Sequence, residues 1–321
     1  MTLSFKEDHI SQIPALMMLE KVGYTYLTPA EAMELRGGNT SNVLLEPILR
    51  EQLTKINTVQ VSSQRTTVFS EQNITAGIEA LRNLPMAEGF MTASQVAYDL
   101  LTAGKTLEQI VDGDKKSYVM QYIDWKHIEN NAFHVTEEFA VSRTGMSDTY
   151  RPDIVLFVNG IPLCVIECKR PDIKDSLKQA ISQHLRNQKE DGIRSLYVYS
   201  ALLLATNVSE VSYATTSTPE KFWSKWTEQF ADKNAEELYR YKLAEKVNEK
   251  RINPKMFSER YSYVRTDIEK KYDAPLTPSV QDAYIYNLCR PERLLGLMYG
   301  FTLYDDGIKK VARYQQFFAV E

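Results

Sequence analysis

Asp153-Ile-Val-Leu-Phe-Val-Asn-Gly-Ile-Pro-Leu-Cys-Val-Ile-Glu-Cys-Lys169 reads as two apolar strands joined by a two-residue turn. Asn159-Gly160 between runs rich in β-branched residues is about the strongest short-range hairpin signal a sequence offers. Asp153 opens the first strand, and Glu167 and Lys169 stand two apart on the second, so those two share a face. The hairpin is therefore expected to gather two carboxylates and one ammonium at one end of a sheet. Pro152 suits the edge of a strand rather than its middle and helps fix Asp153 there.

Two carboxylates suit a hard cation such as Mg²⁺, which takes oxygen ligands and keeps positions for water and phosphate. Asp153 and Glu167 are the candidate ligands, with the Cys168 backbone carbonyl as a third. Lys169 is placed to position a water and to offset charge developing on a phosphate. The residues alone leave a second reading open, a structural ion pair at the end of a strand. Charged groups on a strand as apolar as Leu163 to Ile166 are costly without a role, which favours the first. The four histidines have no ligand spacing, and His184 reads as an ordinary polar residue. Cys164 and Cys168 read as small buried strand residues.

Outward from the hairpin, Phe133 to Val141 alternates like a strand, and Ser142 to Ser147 is a loop. Lys174 to Lys189 has helical spacing, and Ser195 to Thr206 reads as one or two buried strands. Near the start, Ile10 to Val22 predicts a helix in which Pro14 either falls in the first turn or makes a kink, and Tyr24 to Leu27 a short strand. Thr28 to about Asp124 reads as mostly helical, and after about Pro219 no strands are expected. A strand cluster with flanking helices is an α/β pattern. Two basic areas stand out. One is Lys169, Arg170, Lys174, Lys178 and Arg186, weakened by Asp172 and Asp175. The other, Arg240 to Lys271, has ten Lys/Arg against five Asp/Glu, interleaved with Tyr. Either is a phosphate-tracking face or a solvated helical surface.

The whole chain has 321 residues, 43% hydrophobic and 25% charged, with a net charge of −4, which excludes a protein coated in positive charge but not a locally positive cleft. Three cysteines cannot build a disulfide framework, and MTLSFKEDHI is no signal peptide. A cytoplasmic protein is expected.

Asp153…Glu167-Cys-Lys169 resembles the PD-(D/E)xK nuclease motif. The longer string, Arg151-Pro-Asp-Ile-Val-Leu-Phe-Val-Asn-Gly-Ile-Pro-Leu-Cys-Val-Ile-Glu-Cys-Lys-Arg-Pro171, is similar to the restriction-subunit family of type I restriction–modification enzymes. Asp124-Trp125 with Asn130-Asn131-Ala-Phe resembles the lead-in to that family's nuclease strands. Ala312-Arg-Tyr-Gln-Gln-Phe-Phe-Ala-Val320 resembles the segment before its ATP-driven motor.

The resemblance implies a restriction-endonuclease-like mixed sheet flanked by helices over residues 1–215. A helical connector at 216–295 and the start of the motor at 296–321 follow. It implies a type I site-specific deoxyribonuclease that uses Mg²⁺, with ATP serving only the motor. DNA and the specificity and methyltransferase subunits are its implied partners, and cutting is insensitive to local sequence. No G-x-x-x-x-G-K-[ST] phosphate loop occurs, so the sequence is expected to be a fragment without ATPase activity. The family also carries an acid on the first helix and a Gln-x-x-x-Tyr motif after the strands. Glu7, or its neighbour Asp8, is the candidate acid; an ordinary acid at a helix N-terminus is the alternative. Gln183 fits the second motif, but four residues later stands Asn187 instead of tyrosine. Two other functions stay open: a docking module with a degenerate centre, and a stand-alone repair nuclease of the same fold.

Overall fold

The structure, a computed structural model, describes residues 11–62, 65–258 and 260–320. Six strands lie side by side in chain order: β1 (Thr25–Tyr26), β2 (Phe133–Glu137), β3 (Ile154–Val158), β4 (Ile161–Cys168), β5 (Leu202–Thr206) and β6 (Val211–Ala214). β1 runs parallel to β2, and β4 parallel to β5; the other neighbours are antiparallel. This is the expected mixed sheet. All of β4 is buried, as a central strand covered on both faces should be.

The β3–β4 turn has left-handed backbone at both Asn159 (φ 51°) and Gly160 (φ 80°), the geometry that makes Asn-Gly the favoured pair there. Phe157 pairs with Pro162, but the next pair is Leu156 with Cys164, so Leu163 is an extra, bulged residue. The bulge decides the site. A regular two-residue hairpin brings Asp153 opposite Ile166 and turns Glu167 to the other face. With the bulge, Ile154 pairs with Ile166, and the next position sets Asp153 opposite Glu167.

Helix α1 (Ile13–Lys21) holds Pro14 in its first turn, the first of the two outcomes open to it, and buries every residue except that proline. Lys21 Nζ donates to the Val247 carbonyl (2.6 Å) and to the Tyr272 hydroxyl (2.9 Å), and desolvation lowers its pKa to about 8. The helices at Lys233–Asn248 and Arg265–Lys271 thus close over α1. Helix α2 (Ser176–Asn187) connects parallel β4 and β5 across the face that presents Glu167 and Ala205. A helical turn, α3 (Arg194–Tyr197), leads into β5. Among the described residues the main apolar core runs from Ile13 to Phe317, with a small separate cluster of Ala180, Ile181 and Ala205 under α2. No helix among the described residues is long and apolar enough to cross a membrane.

Three stretches correct the sequence reading. Between Thr28 and Asp124 the expected helices occur at Glu46–Ile56, Glu71–Arg82 and Phe90–Ala103, but so do two hairpins, Thr58–Ser62 with Arg65–Val68 and Lys105–Val111 with Asp114–Met120. The second is largely exposed and charged, so no apolar alternation marks it. Within Ser195–Thr206 only β5 is strand, because a helical turn with buried Leu196 and Tyr197, running on into Val198, has the same apolar run as a buried strand. After Pro219 a hairpin does form, Thr302–Asp305 with Ile308–Val311. It packs on the helix Phe90–Ala103, where the Tyr98 hydroxyl donates to the Thr302 carbonyl (2.9 Å).

That last hairpin buries Lys309, only 3% exposed, whose Nζ donates to the Ser200 carbonyl (2.8 Å). Desolvation lowers its pKa to about 7, well below the ordinary lysine value. Above that value the native ammonium loses its proton while the unfolded chain keeps one, so stability rises with pH. Lys309→Met lacks this term. Its stability advantage over wild type should shrink by about 2 kcal/mol from about pH 7 to about pH 9. Urea unfolding of both proteins across that range checks this; a constant gap means the native lysine stays charged throughout.

Candidate active site

Asp153 lies just before β3, where its backbone carbonyl accepts from the Glu138 N–H (3.1 Å) and Gln12 Nε2 (2.9 Å). Its Oδ2 accepts from the Cys168 N–H at 2.7 Å and lies 3.5 Å from Lys169 Nζ. Lys169 Nζ also donates to the Cys168 carbonyl at 2.8 Å, which ties down the third expected ligand. Glu167 is fully buried. Its Oε1 accepts from Asn187 Nδ2 (3.2 Å), and its Oε2 has no hydrogen-bond partner. Desolvation, and then the Asp153 carboxylate beside it, push the Glu167 pKa well above the usual carboxylate range.

A buried carboxyl oxygen without a donor, next to a second carboxylate, is a costly arrangement unless a proton or a cation takes it up. The donor set is oxygen throughout, which fits a hard divalent ion and not a soft one. Among the described residues no cluster of three or more His, Cys, Asp or Glu is placed to hold a metal ion; Asp153 and Glu167 stand as a pair.

Several arginines stand near the site, some of them already paired, as Arg143 is with Asp148 and Asp191. Tyr150 is sandwiched between Arg143 and Arg186, whose guanidinium carbons lie 4.4 and 4.5 Å from its ring centre. Arg151, with Arg36 and Arg260, lines a groove of about 560 Å³ that also touches Glu138 and Phe139. Arg260 comes from the second basic stretch and pairs with Glu138 (3.2 Å). Much of the rest of that stretch is used locally, as in Lys255 with Glu31 and Arg265 with Glu269. In the first stretch Arg170 pairs with Asp172, and Lys178 with Asp175.

Asp153, Glu167 and Lys169 therefore meet. Gln183 is half-buried on α2 and makes no side-chain hydrogen bond among the described residues. Asn187, one turn later, is the residue that reaches Glu167. Glu7 and Asp8 lie outside the described residues. His184 is not an ordinary polar residue. It is fully buried, with Nδ1 3.0 Å from the Tyr197 hydroxyl and Nε2 2.9 Å from the Leu204 carbonyl. Tyr197 was missed because Leu-Tyr-Val-Tyr reads as a strand. The bulge was missed too, although Pro162 in a central strand signals one.

Residues 4–222 match the family model described as the type I restriction enzyme R protein N terminus. The chain is 23% identical over 319 residues to a protein of Methanocaldococcus jannaschii named as the type I restriction enzyme MjaIXP endonuclease subunit, and 25% identical over 326 residues to the HindI endonuclease subunit of Haemophilus influenzae. Each alignment takes in 98% of this chain but only 27% and 26% of the relative, so the chain spans about a quarter of their length. With most of its residues inside that family model, the chain belongs to the type I restriction enzyme R protein N-terminal family.

Proposed function

We propose that the chain is the PD-(D/E)xK nuclease region of a type I restriction subunit, with Asp153, Glu167 and Lys169 as its catalytic set. What carries the reading is the bulge-set meeting of the two carboxylates, with Glu167 Oε2 left partnerless in a buried site. Asp153 and Glu167 hold Mg²⁺, with the Cys168 carbonyl as a further oxygen. The ion supplies charge stabilisation for the phosphoryl oxygens and makes an attacking water more acidic. The Lys169 ammonium orients that water and balances the charge that builds on the phosphate. Gln183 completes the site from α2, and the family's acid is assigned to Glu7 or Asp8, outside the described residues.

The substrate is DNA, met at its backbone by the Arg143–Tyr150–Arg186 rim and by Arg151 and Arg260 in the groove. Phosphate contacts carry no sequence information, which suits cutting without local specificity. In the whole enzyme a motor, with specificity and methyltransferase subunits, selects and delivers the DNA.

Mn²⁺ titration of the 321-residue chain, with a short DNA duplex present and electron paramagnetic resonance as readout, tests the metal centre. One site is expected. Asp153→Ala or Glu167→Ala should weaken it by more than about a hundredfold, beyond the loss typical of an outer-sphere partner. Wild-type affinity in both variants removes these carboxylates from the metal centre.

A further inference from the structure

Behind Glu167 stands a line of buried groups that the chemistry above does not use. His184, Asn187 and Tyr197 are each fully buried. The Leu204 carbonyl lies 2.9 Å from His184 Nε2, His184 Nδ1 3.0 Å from the Tyr197 hydroxyl, and that hydroxyl 3.4 Å from Asn187 Nδ2. The same Nδ2 reaches Glu167 Oε1 at 3.2 Å, while Arg186 donates to Asn187 Oδ1 at 3.2 Å.

The donors and acceptors along this line leave one consistent direction. A backbone carbonyl only accepts, so His184 Nε2 carries the imidazole proton and Nδ1 is an acceptor. Nδ1 then takes the single Tyr197 hydroxyl proton, and the Tyr197 oxygen turns its lone pair to Asn187. Asn187 must therefore present its NH₂ group to Tyr197 and Glu167, with its oxygen toward Arg186. Burial lowers the His184 pKa to about 3, so the imidazole stays neutral and the direction does not reverse near neutral pH. An amide rotated by half a turn would aim its oxygen at the Glu167 carboxylate.

We propose that His184 and Tyr197 are positioning residues for Glu167. Through Asn187 they hold Oε1 by a fixed N–H, so that the partnerless Oε2 stays free for the cation that Glu167 and Asp153 would hold. The proposal rests on the metal-centre reading above. It assigns the pair no contact with substrate or metal; their effect passes through the Asn187 amide.

Tyr197→Phe removes one hydroxyl and keeps the ring. Mn²⁺ affinity of the 321-residue chain should fall about tenfold, the usual cost of losing an outer-sphere partner. Tyr199→Phe is the control. It also deletes a buried tyrosine hydroxyl, one that donates to the Leu81 carbonyl at 2.6 Å, and should lower stability while leaving Mn²⁺ affinity at the wild-type value. His184→Leu should behave like Tyr197→Phe. His184→Gln, whose amide keeps one donor and one acceptor, should hold affinity within about threefold of wild type. Wild-type Mn²⁺ affinity in folded Tyr197→Phe or folded His184→Leu overturns the proposal, provided Glu167→Gln has lost binding; the metal-centre reading then survives. Wild-type affinity in Glu167→Gln overturns both.

Discussion

Lys169→Met in a complete type I restriction enzyme is expected to reduce DNA cleavage about 10²–10³-fold while leaving divalent-ion binding and ATP-driven movement intact. The residue follows Glu167 by two, just past the end of β4, where its N–H still donates to the Thr206 carbonyl (2.8 Å), so the strand's period puts both side chains on the same face. Its Nζ sits 3.5 Å from Asp153 Oδ2 and 2.8 Å from the Cys168 carbonyl, with the side chain only 13% exposed. Methionine keeps the unbranched stem and removes the charge. Losing a cation beside two carboxylates leaves a more negative site, so metal affinity should hold or rise. The loss therefore falls on the reaction step: nothing balances the charge building on the phosphate. Following plasmid cutting and ATP turnover in one reaction checks this. Cutting at the wild-type rate would make Lys169 a structural partner of Asp153.

Gly160→Val is expected to destabilise the fold by more than about 4 kcal/mol. Gly160 has φ 80°, where a β-branched residue is a genuine outlier. A Cβ there would also lie 2.5 Å from the Leu45 carbonyl oxygen and 3.1 Å from the Leu49 nitrogen. Both are backbone atoms at the start of the helix Glu46–Ile56, and the Leu45 N–H already donates to the Gly160 carbonyl at 2.9 Å. Neither strand nor helix can retreat without breaking that bond. Neighbouring Asn159 is fixed as well: its side chain accepts from the Ala132 N–H and donates to the Tyr122 carbonyl and to Asn131. Urea unfolding followed by circular dichroism measures the cost. A midpoint equal to wild type would show that the turn and helix move apart easily.

What was legible in the sequence came from local rules. Asn-Gly announced its turn, and the apolar runs beside it announced buried strands. Glu167 and Lys169 shared a face by the period of a strand alone. Their meeting with Asp153 was expected from the hairpin, yet the spacing of thirteen residues works only because Leu163 bulges; an unbroken register gives the opposite face. The remaining misses have separate causes. Exposed hairpins such as Lys105–Met120 carry charges on both faces and show no apolar alternation. Tyr197 sits in a helical turn hidden inside an apolar run. The role of Asn187 depends on Glu167, twenty residues back in the chain, and on Tyr197, ten residues ahead. The family resemblance pointed to Gln183, with Asn187 at the position of the motif's tyrosine, and of these Asn187 holds the carboxylate.

The most direct test of the two-carboxylate centre is plasmid cleavage by the complete restriction enzyme carrying Glu167→Ala, with Mg²⁺ and ATP present and translocation followed in the same sample. The expected result is wild-type movement along DNA with no cut product. Cleavage at the wild-type rate would contradict the assignment of Asp153 and Glu167 as the metal-holding pair.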